Sequence, residues 1–205
     1  MTPDISYDAI VLGAGAAGLM CAAEAGKRGR RVMVLERAGQ PGKKILISGG
    51  GRCNFTNLDT APDRYISDNP HFAKSALSRF TARDFLALVE AHGIAWHEKT
   101  LGQLFCDGSA KQIVALLLAE CERGSVRIAC SQQIAEVRHA GGQFCVTTRD
   151  GSFAAPALVI ATGATLVTDL ASLLVLAVVQ GLQSGDAGPM FWLRFAGLTA
   201  LWAAF

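Results

Sequence analysis

Two groups of residues in this chain have types and spacing suited to chemistry. The first is Gly13-Ala14-Gly15-Ala16-Ala17-Gly18, followed 18 residues later by Glu36. In a G-x-G-x-x-G turn the first glycine permits a tight bend and the second lets a pyrophosphate approach the backbone. The third lets helix and strand pack closely. A helix opening at Ala16 and Ala17 turns its free N–H groups and the positive end of its dipole toward phosphates. Glu36 falls where a carboxylate can accept both hydroxyls of a ribose, and Arg37 stands beside it at the same end of the candidate site. An acid at that place favours an unphosphorylated ribose, hence FAD or NAD rather than NADP. A Gly/Ala-rich helix start with no ligand is the plainer alternative.

The second group lies between Pro41 and Asn57 and reads PGKKILISGGGRCNFTN. Consecutive glycines, Gly49 to Gly51, expose consecutive backbone N–H groups that can form an anion-binding nest. Arg52, Asn54 and Asn57 add donors, and Lys43 and Lys44 add positive charge. A flavin, which gains negative charge on reduction, is a ligand that needs such donors. By composition alone a surface loop with solvated charges explains the stretch equally well.

The elements needed to position both groups are present. Residues 7–12 form an apolar run ending in glycine, as a buried parallel strand does. Residues 16–27 have helical composition and close at Gly29. Residues 31–36 are a second buried strand, and this β-α-β order implies a crossover in a parallel sheet. Residues 39–57 read as a long loop. Helices are expected at 71–79, 82–92 and 109–122, and a small hairpin at 94–98 and 103–106. A strand at 126–128 leads into period-two segments at 134–139, 143–148 and 152–154, divided by Gly141-Gly142 and Asp150-Gly151, both hairpin signals. Residues 157–161 return as a buried parallel strand ending at Ala161-Thr162-Gly163. The fold class is therefore α/β: a Rossmann-like, doubly wound parallel sheet with an antiparallel β-meander.

Composition narrows the function. The chain has 205 residues, 51% of them hydrophobic, with 19 Lys+Arg against 17 Asp+Glu and a net charge of +2. So balanced a charge argues against a dedicated nucleic-acid binder, and the apolar content excludes intrinsic disorder. The six cysteines show no C-x-x-C pair, and the N-terminus lacks a secretory signature, so reduced thiols, no metal site and a cytoplasmic location are expected. Cys53 lies beside Arg52 but has no resolving cysteine near it and reads as structural; Cys106 and Cys121 occupy core positions. His92 ends a helix and needs no catalytic role. His97 and Glu98 face opposite sides of a strand, which argues against an acid/base pair.

The segments GAGAAGLMC, PGKKILISGGGRCNFTN, LGQLFCD and LVIATG together resemble the bacterial BaiN-type flavoproteins. That group takes in NAD(P)/FAD-dependent oxidoreductases, aminoacetone-oxidase-family FAD-binding enzymes and relatives of bile-acid Δ4,6-reductases. The resemblance runs from residue 6 to residue 163. It implies extended FAD, with Gly13, Gly15 and Gly18 at the pyrophosphate and Glu36 at the adenosine ribose. It places Lys44, Gly50, Arg52, Asn54 and Asn57 along the path to the flavin, and Thr162 and Gly163 at a second cofactor-contacting turn. It also implies hydride exchange through flavin N5 with a small-molecule substrate that the sequence does not name. NAD(P)H is a possible transient reductant, although a second G-x-G-x-x-G is absent.

After Gly163 the resemblance stops. Full-length members are roughly twice as long, so the chain reads as truncated and the fold as incomplete, with a Rossmann-like domain at 1–163 and a divergent apolar tail at 164–205. Beyond residue 163 the charged residues are Asp169, Asp186 and Arg194. Three readings of the tail stay open: a divergent or out-of-frame sequence, helices packing on the sheet, or a membrane hairpin, the last disfavoured by short apolar runs and by Arg194. Impaired turnover follows from a missing flavin wall, and a catalytically inactive FAD- or adenine-nucleotide-binding remnant is the alternative function.

Overall fold

The computed structural model describes residues 7–161; the expected tail and the pair Thr162 and Gly163 lie outside them. Strand β1 (Ala9–Leu12) runs into helix α1 (Ala16–Lys27), which leads to β2 (Val32–Leu35). A short helix α2 (Lys43–Ile47), a 3-10 turn at Ser48–Gly51 and strand β3 (Asn54–Asn57) follow. Helices α3 (Lys74–Arg79) and α4 (Ala82–Ala91) precede β4 (Trp96–Glu98), β5 (Gln103–Cys106) and helix α5 (Lys111–Arg123). The chain continues through β6 (Arg127–Ala129), the meander β7 (Ile134–Ala140), β8 (Gln143–Thr148) and β9 (Gly151–Ala155), and β10 (Ala157–Ile160).

The central sheet is parallel, ordered β10-β1-β2-β6, with Ala9 opposite both Ala157 and Val32. Helices α1 and α5 cover one face. They approach so closely that a Cβ on Gly26 would overlap the Gly124 carbonyl, and Cys121 Sγ donates to the Leu19 carbonyl at 3.3 Å. Leu19, Ala22, Ile113, Leu116 and Leu117 fill this side. On the other face Tyr7, Ile10, Met33 and Leu35 pack against Val146 and Ala155 of the meander. Each buried Leu, Ile, Val or Met among them contributes about 1.5–3 kcal/mol by leaving water.

Two expectations need correction. Residues 39–57 are not one long loop. Ile45 is buried in the core, which folds 43–47 into a helix, and Asn54–Asn57 pairs antiparallel with β5 to make the β4–β5 hairpin a three-stranded sheet. The strand at 157–161 is half-buried rather than buried, because among the described residues it has one neighbour, β1, and ends the sheet.

A charged hub ties three helices together. Glu120, on the buried stripe of α5, is 2% exposed. Its carboxylate meets Lys27 Nζ of α1, His92 Nε2 at the end of α4 (2.8 Å) and Arg123 of α5 (2.7 Å). Burial alone would raise the Glu120 carboxyl, but hydrogen bonds from Lys27 and His92 outweigh it and hold the group below its ordinary 4.5. The bond to Glu120 likewise holds Lys27 above its ordinary 10.5.

The sign of the pH dependence follows. Below its ordinary value in the native state, Glu120 gives stability that is complete above pH 4.5 and is lost as pH falls through the depressed native value. Glu120→Gln should therefore lower stability by about 2 kcal/mol at pH 7, the scale of a hydrogen bond to a charged group. Urea melts at pH 7 and pH 3 check this: the gap between the two proteins should narrow on acidification, and a gap unchanged by pH would refute the hub.

Candidate functional site

The site is built where β1 turns into α1. Gly13 has φ +103, and a Cβ there would stand 2.6 Å from the Ala161 carbonyl oxygen. Ala161 is held in place by its N–H donating to the Leu12 carbonyl at 2.9 Å. A Cβ on Gly18 would overlap the Gly13 carbonyl and lie 3.2 Å from Ala161 Cβ. These two glycines are demanded by the packing of the turn itself.

Gly15 is different. It caps α1 in an extended conformation that any residue can adopt (φ −80), and a Cβ there would meet nothing within 4 Å. Neither backbone geometry nor packing explains this glycine. A glycine here leaves the backbone open to close approach from outside. The first turn of α1, with Ala16 and Ala17 exposed, has no side-chain cap and no acidic residue of its own, so its N–H groups have no side-chain partner among the described residues.

Glu36 follows β2 and reaches back to this turn. One carboxylate oxygen accepts from Ala14 N–H (2.6 Å) and the other from Ala38 N–H (2.7 Å). Each oxygen keeps a lone pair for a further donor, so the pair of hydroxyls on a ribose can still be accepted. Arg37, next in sequence, is exposed. Cys130, at the end of β6, lies near enough that the Glu36 charge adds to burial in pushing its thiol up.

The second glycine group is fastened to the first. Gly42 N–H donates to the Ala14 carbonyl at 2.8 Å, and α2 starts there. Gly49, Gly50 and Gly51 are all left-handed, with φ of 56°, 67° and 85°. A Cβ on Gly49 would strike the Phe105 ring at 2.7 Å, whereas Gly50 faces open space. The Ala110 N–H, at the entry of α5, holds the Gly51 carbonyl at 2.7 Å. Lys44 and Arg52 are exposed, and Arg52 makes no ion pair among the described residues. Asn54 begins β3 beside the glycines. Asn57, at its far end, commits its amide to the Leu101 carbonyl (3.1 Å) and the Asp59 N–H (2.8 Å).

Burial pushes the Cys53 thiol up, and Cys106 and Cys121 are pushed up to about 11 by the same cause; these are packing residues. All six cysteines are free. His97 does not pair with Glu98: its Nδ1 lies 2.6 Å from Asp107, while Glu98 accepts from the Gly102 N–H. Among the described residues no group of three or more His, Cys, Asp or Glu could hold a metal, and no helix is long and apolar enough to cross a membrane. Sequence reasoning missed Ala38, the Ala14–Gly42 link and the Phe105 wall. None has a sequence signal, since each acts through its backbone or through a tertiary contact.

Comparison with known proteins gives the following. The model of the HI0933-like protein Rossmann domain matches residues 7–175, past the point at residue 163 where the resemblance was expected to end. A ribosomal RNA dihydrouridine synthase of Escherichia coli (strain K12) is 55% identical over 157 residues, 77% of this chain and 39% of that protein. One from Haemophilus influenzae is 46% identical over 158 residues, 75% of this chain and again 39% of its length. A 3-dehydro-bile acid delta(4,6)-reductase of Clostridium scindens is 28% identical over 157 residues, 75% and 38% of the two chains. This chain thus spans about two-fifths of the length of these relatives. Among solved structures, the 3-ketosteroid-delta4-(5alpha)-dehydrogenase of Rhodococcus jostii RHA1 superposes with a TM-score of 0.57 at 17% identity, over 80% of this chain and 47% of that one, a likeness of fold.

The glycines should separate by substitution. Gly18→Ala, forced against the Gly13 carbonyl, should cost about 1–3 kcal/mol of stability. Gly15→Ala should cost under about 1 kcal/mol, the scale of a changed N-cap. Thermal melts of the two variants decide; equal losses would mean that Gly15 is held by the fold.

Proposed function

The chain belongs to the HI0933-like Rossmann-domain family, and on that premise we propose that it is the FAD-binding part of an oxidoreductase, in the BaiN-type flavoprotein group. The observation that carries the reading is Gly15, a glycine that the fold does not require, at an uncapped helix N-terminus facing open space. Gly13, Gly15, Ala16, Ala17 and Gly18 would hold the pyrophosphate through backbone N–H groups. Glu36 would hold the adenosine ribose by the lone pairs its two backbone bonds leave free, with Arg37 alongside. Lys44, Gly50, Arg52, Asn54 and Asn57 would line the way to the flavin, and Ala161, Thr162 and Gly163 would close the second turn.

Bound FAD supplies hydride exchange through flavin N5, while the protein contributes binding, orientation and charge. This chain's share is to fix the diphosphate on a rigid helix end and to set positive charge and backbone donors beside the ring. NAD(P)H is the reductant class that suits such a cofactor. No side chain among the described residues is assigned as proton donor.

A second reading concerns the substrate, and the 55% identity to the Escherichia coli ribosomal RNA dihydrouridine synthase supports it. Turning a uridine into a dihydrouridine adds two electrons and two protons across a ring double bond, which is flavin chemistry. On this reading the protein serves ribosomal RNA in the cytoplasm. The rival is a remnant that binds adenine nucleotide without turnover.

Purified protein should be yellow. Gly15→Val and Glu36→Leu should each cut flavin retention at least about tenfold, the effect of losing about 1.4 kcal/mol of binding. Absorbance at the flavin bands reads this directly. A colourless preparation that still binds ADP would favour the remnant, and flavin retention unchanged by both substitutions would remove the cofactor site from these residues.

A further inference from the structure

A hydride added to a double bond must be matched by a proton, and the sheet β3-β5-β4 carries a group suited to give it. Directly opposed residues of paired strands lie on one face, and here Asn54, Phe105 and His97 stand in one row across the three strands. Asp107 prolongs β5 on that face, its N–H donating to the Ala95 carbonyl at 3.0 Å. His97 Nδ1 lies 2.6 Å from Asp107 Oδ1. An ionised carboxylate only accepts, so Nδ1 carries a proton, and Nε2 has no partner among the described residues. The other histidines lack this combination. His92 spends Nε2 on Glu120, and His71 and His139 have no carboxylate partner among the described residues. The fold gains little from the pair: its side chains are 40% and 50% exposed, and ion pairs in water add little stability.

The pair stands next to the glycine nest. The His97 ring lies nearly parallel to the Phe105 ring, at 6.1 Å and 18°. The Phe105 ring is the one that a Cβ on Gly49 would strike at 2.7 Å. One aromatic ring therefore separates the imidazole from the loop assigned to the flavin end of the cofactor. Lys99 Nζ lies 5.4 Å from the centre of the same ring, so Lys99 and Asp107 are the charged groups that this face sets around the imidazole. Other proton carriers near the nest are less suited. Arg52 keeps its proton at any working pH, and Cys53 and Cys106 are enclosed.

We propose that His97, oriented by Asp107, is the general acid of the flavin reaction, serving substrates with a carbon–carbon double bond conjugated to a carbonyl. The uracil ring contains that unit. This assignment rests on the flavin reading given above. In the step, one carbon of the double bond gains the hydride and the other gains the Nε2 proton of the imidazolium. An N–H bond breaks and a C–H bond forms. Neutral imidazole is left and takes a proton back from water. The two electrons come from the NAD(P)H class of reductant by way of the cofactor. Asp107 is a positioning residue, which fixes the tautomer and steadies the charged form.

The test uses the flavin-bearing full chain, reduced with stoichiometric dithionite and mixed without oxygen with uridine or cyclohex-2-enone. The return of the oxidised flavin band is followed. His97→Ala should slow that return about 10²–10⁴-fold, the usual share of a general acid, and added imidazole should restore part of the rate. The parent's rate should fall as pH rises, because the acid form is the one that reacts, and His97→Ala should lack this dependence. Asp107→Asn should slow the return less and move the fall to lower pH, since the imidazolium loses its carboxylate. Apart from turnover, nitrogen NMR of labelled histidine should show neutral His97 protonated at Nδ1, a preference that Asp107→Asn removes. Both variants should retain flavin as the parent does. Colourless protein would remove the flavin reading and this assignment together. Yellow protein whose band returns with neither probe, or returns as fast in His97→Ala, would overturn the assignment alone.

Discussion

The close approach of the α1 entry to the end of β1 is the constraint on which the rest depends. Gly18 can sit against the Gly13 carbonyl and Ala161 because neither glycine has a side chain. Further along the same helix a second close approach, Gly26 against the Gly124 carbonyl, lays α1 on α5. The first turn of α1 follows the carboxyl end of β1, next to that of β10. Crevices beyond strand ends, where connections leave in opposite directions, are the usual ligand sites of such sheets. The packing of the turn and the place of the candidate site thus meet at the same two glycines.

Glu36 and Glu120 show how the same side chain serves different ends. Both are carboxylates held by neighbours, and both sit at the meeting of several elements. Glu120 is surrounded by cations and almost wholly enclosed, so its charge is compensated on the spot. Glu36 is held by two neutral backbone donors and is only partly covered, so its charge and spare lone pairs remain available. The first arrangement joins helices; the second is suited to receive a ligand.

Much of the framework was legible in the sequence. Residues 16–27 are a helix with the expected limits, and Gly141-Gly142 and Asp150-Gly151 turn the meander as their types demand. Local propensity and turn chemistry decide such elements. Residues 43–47 were not legible, because five residues make a helix only when the core takes up Ile45 and when Gly42 can bond Ala14. The exposure of 157–160 depends on sheet neighbours that no strand pattern reveals. Glu120 did leave a signal: it falls on the stripe of Ile113, Leu116, Leu117 and Cys121, where a carboxylate has to find cations. At the candidate site the glycine turn and its acid could be read by spacing, but the distinction between Gly15 and its neighbours required coordinates.

The hydrogen bond from the Gly42 N–H to the Ala14 carbonyl ties the two glycine segments together through backbone alone. Restraint applied at one is transmitted to the other through a backbone contact with no rotatable side chain between them. Ordering either end thus lowers the entropy that remains to be lost at the other, a route to cooperative capture of a long ligand without any change of shape.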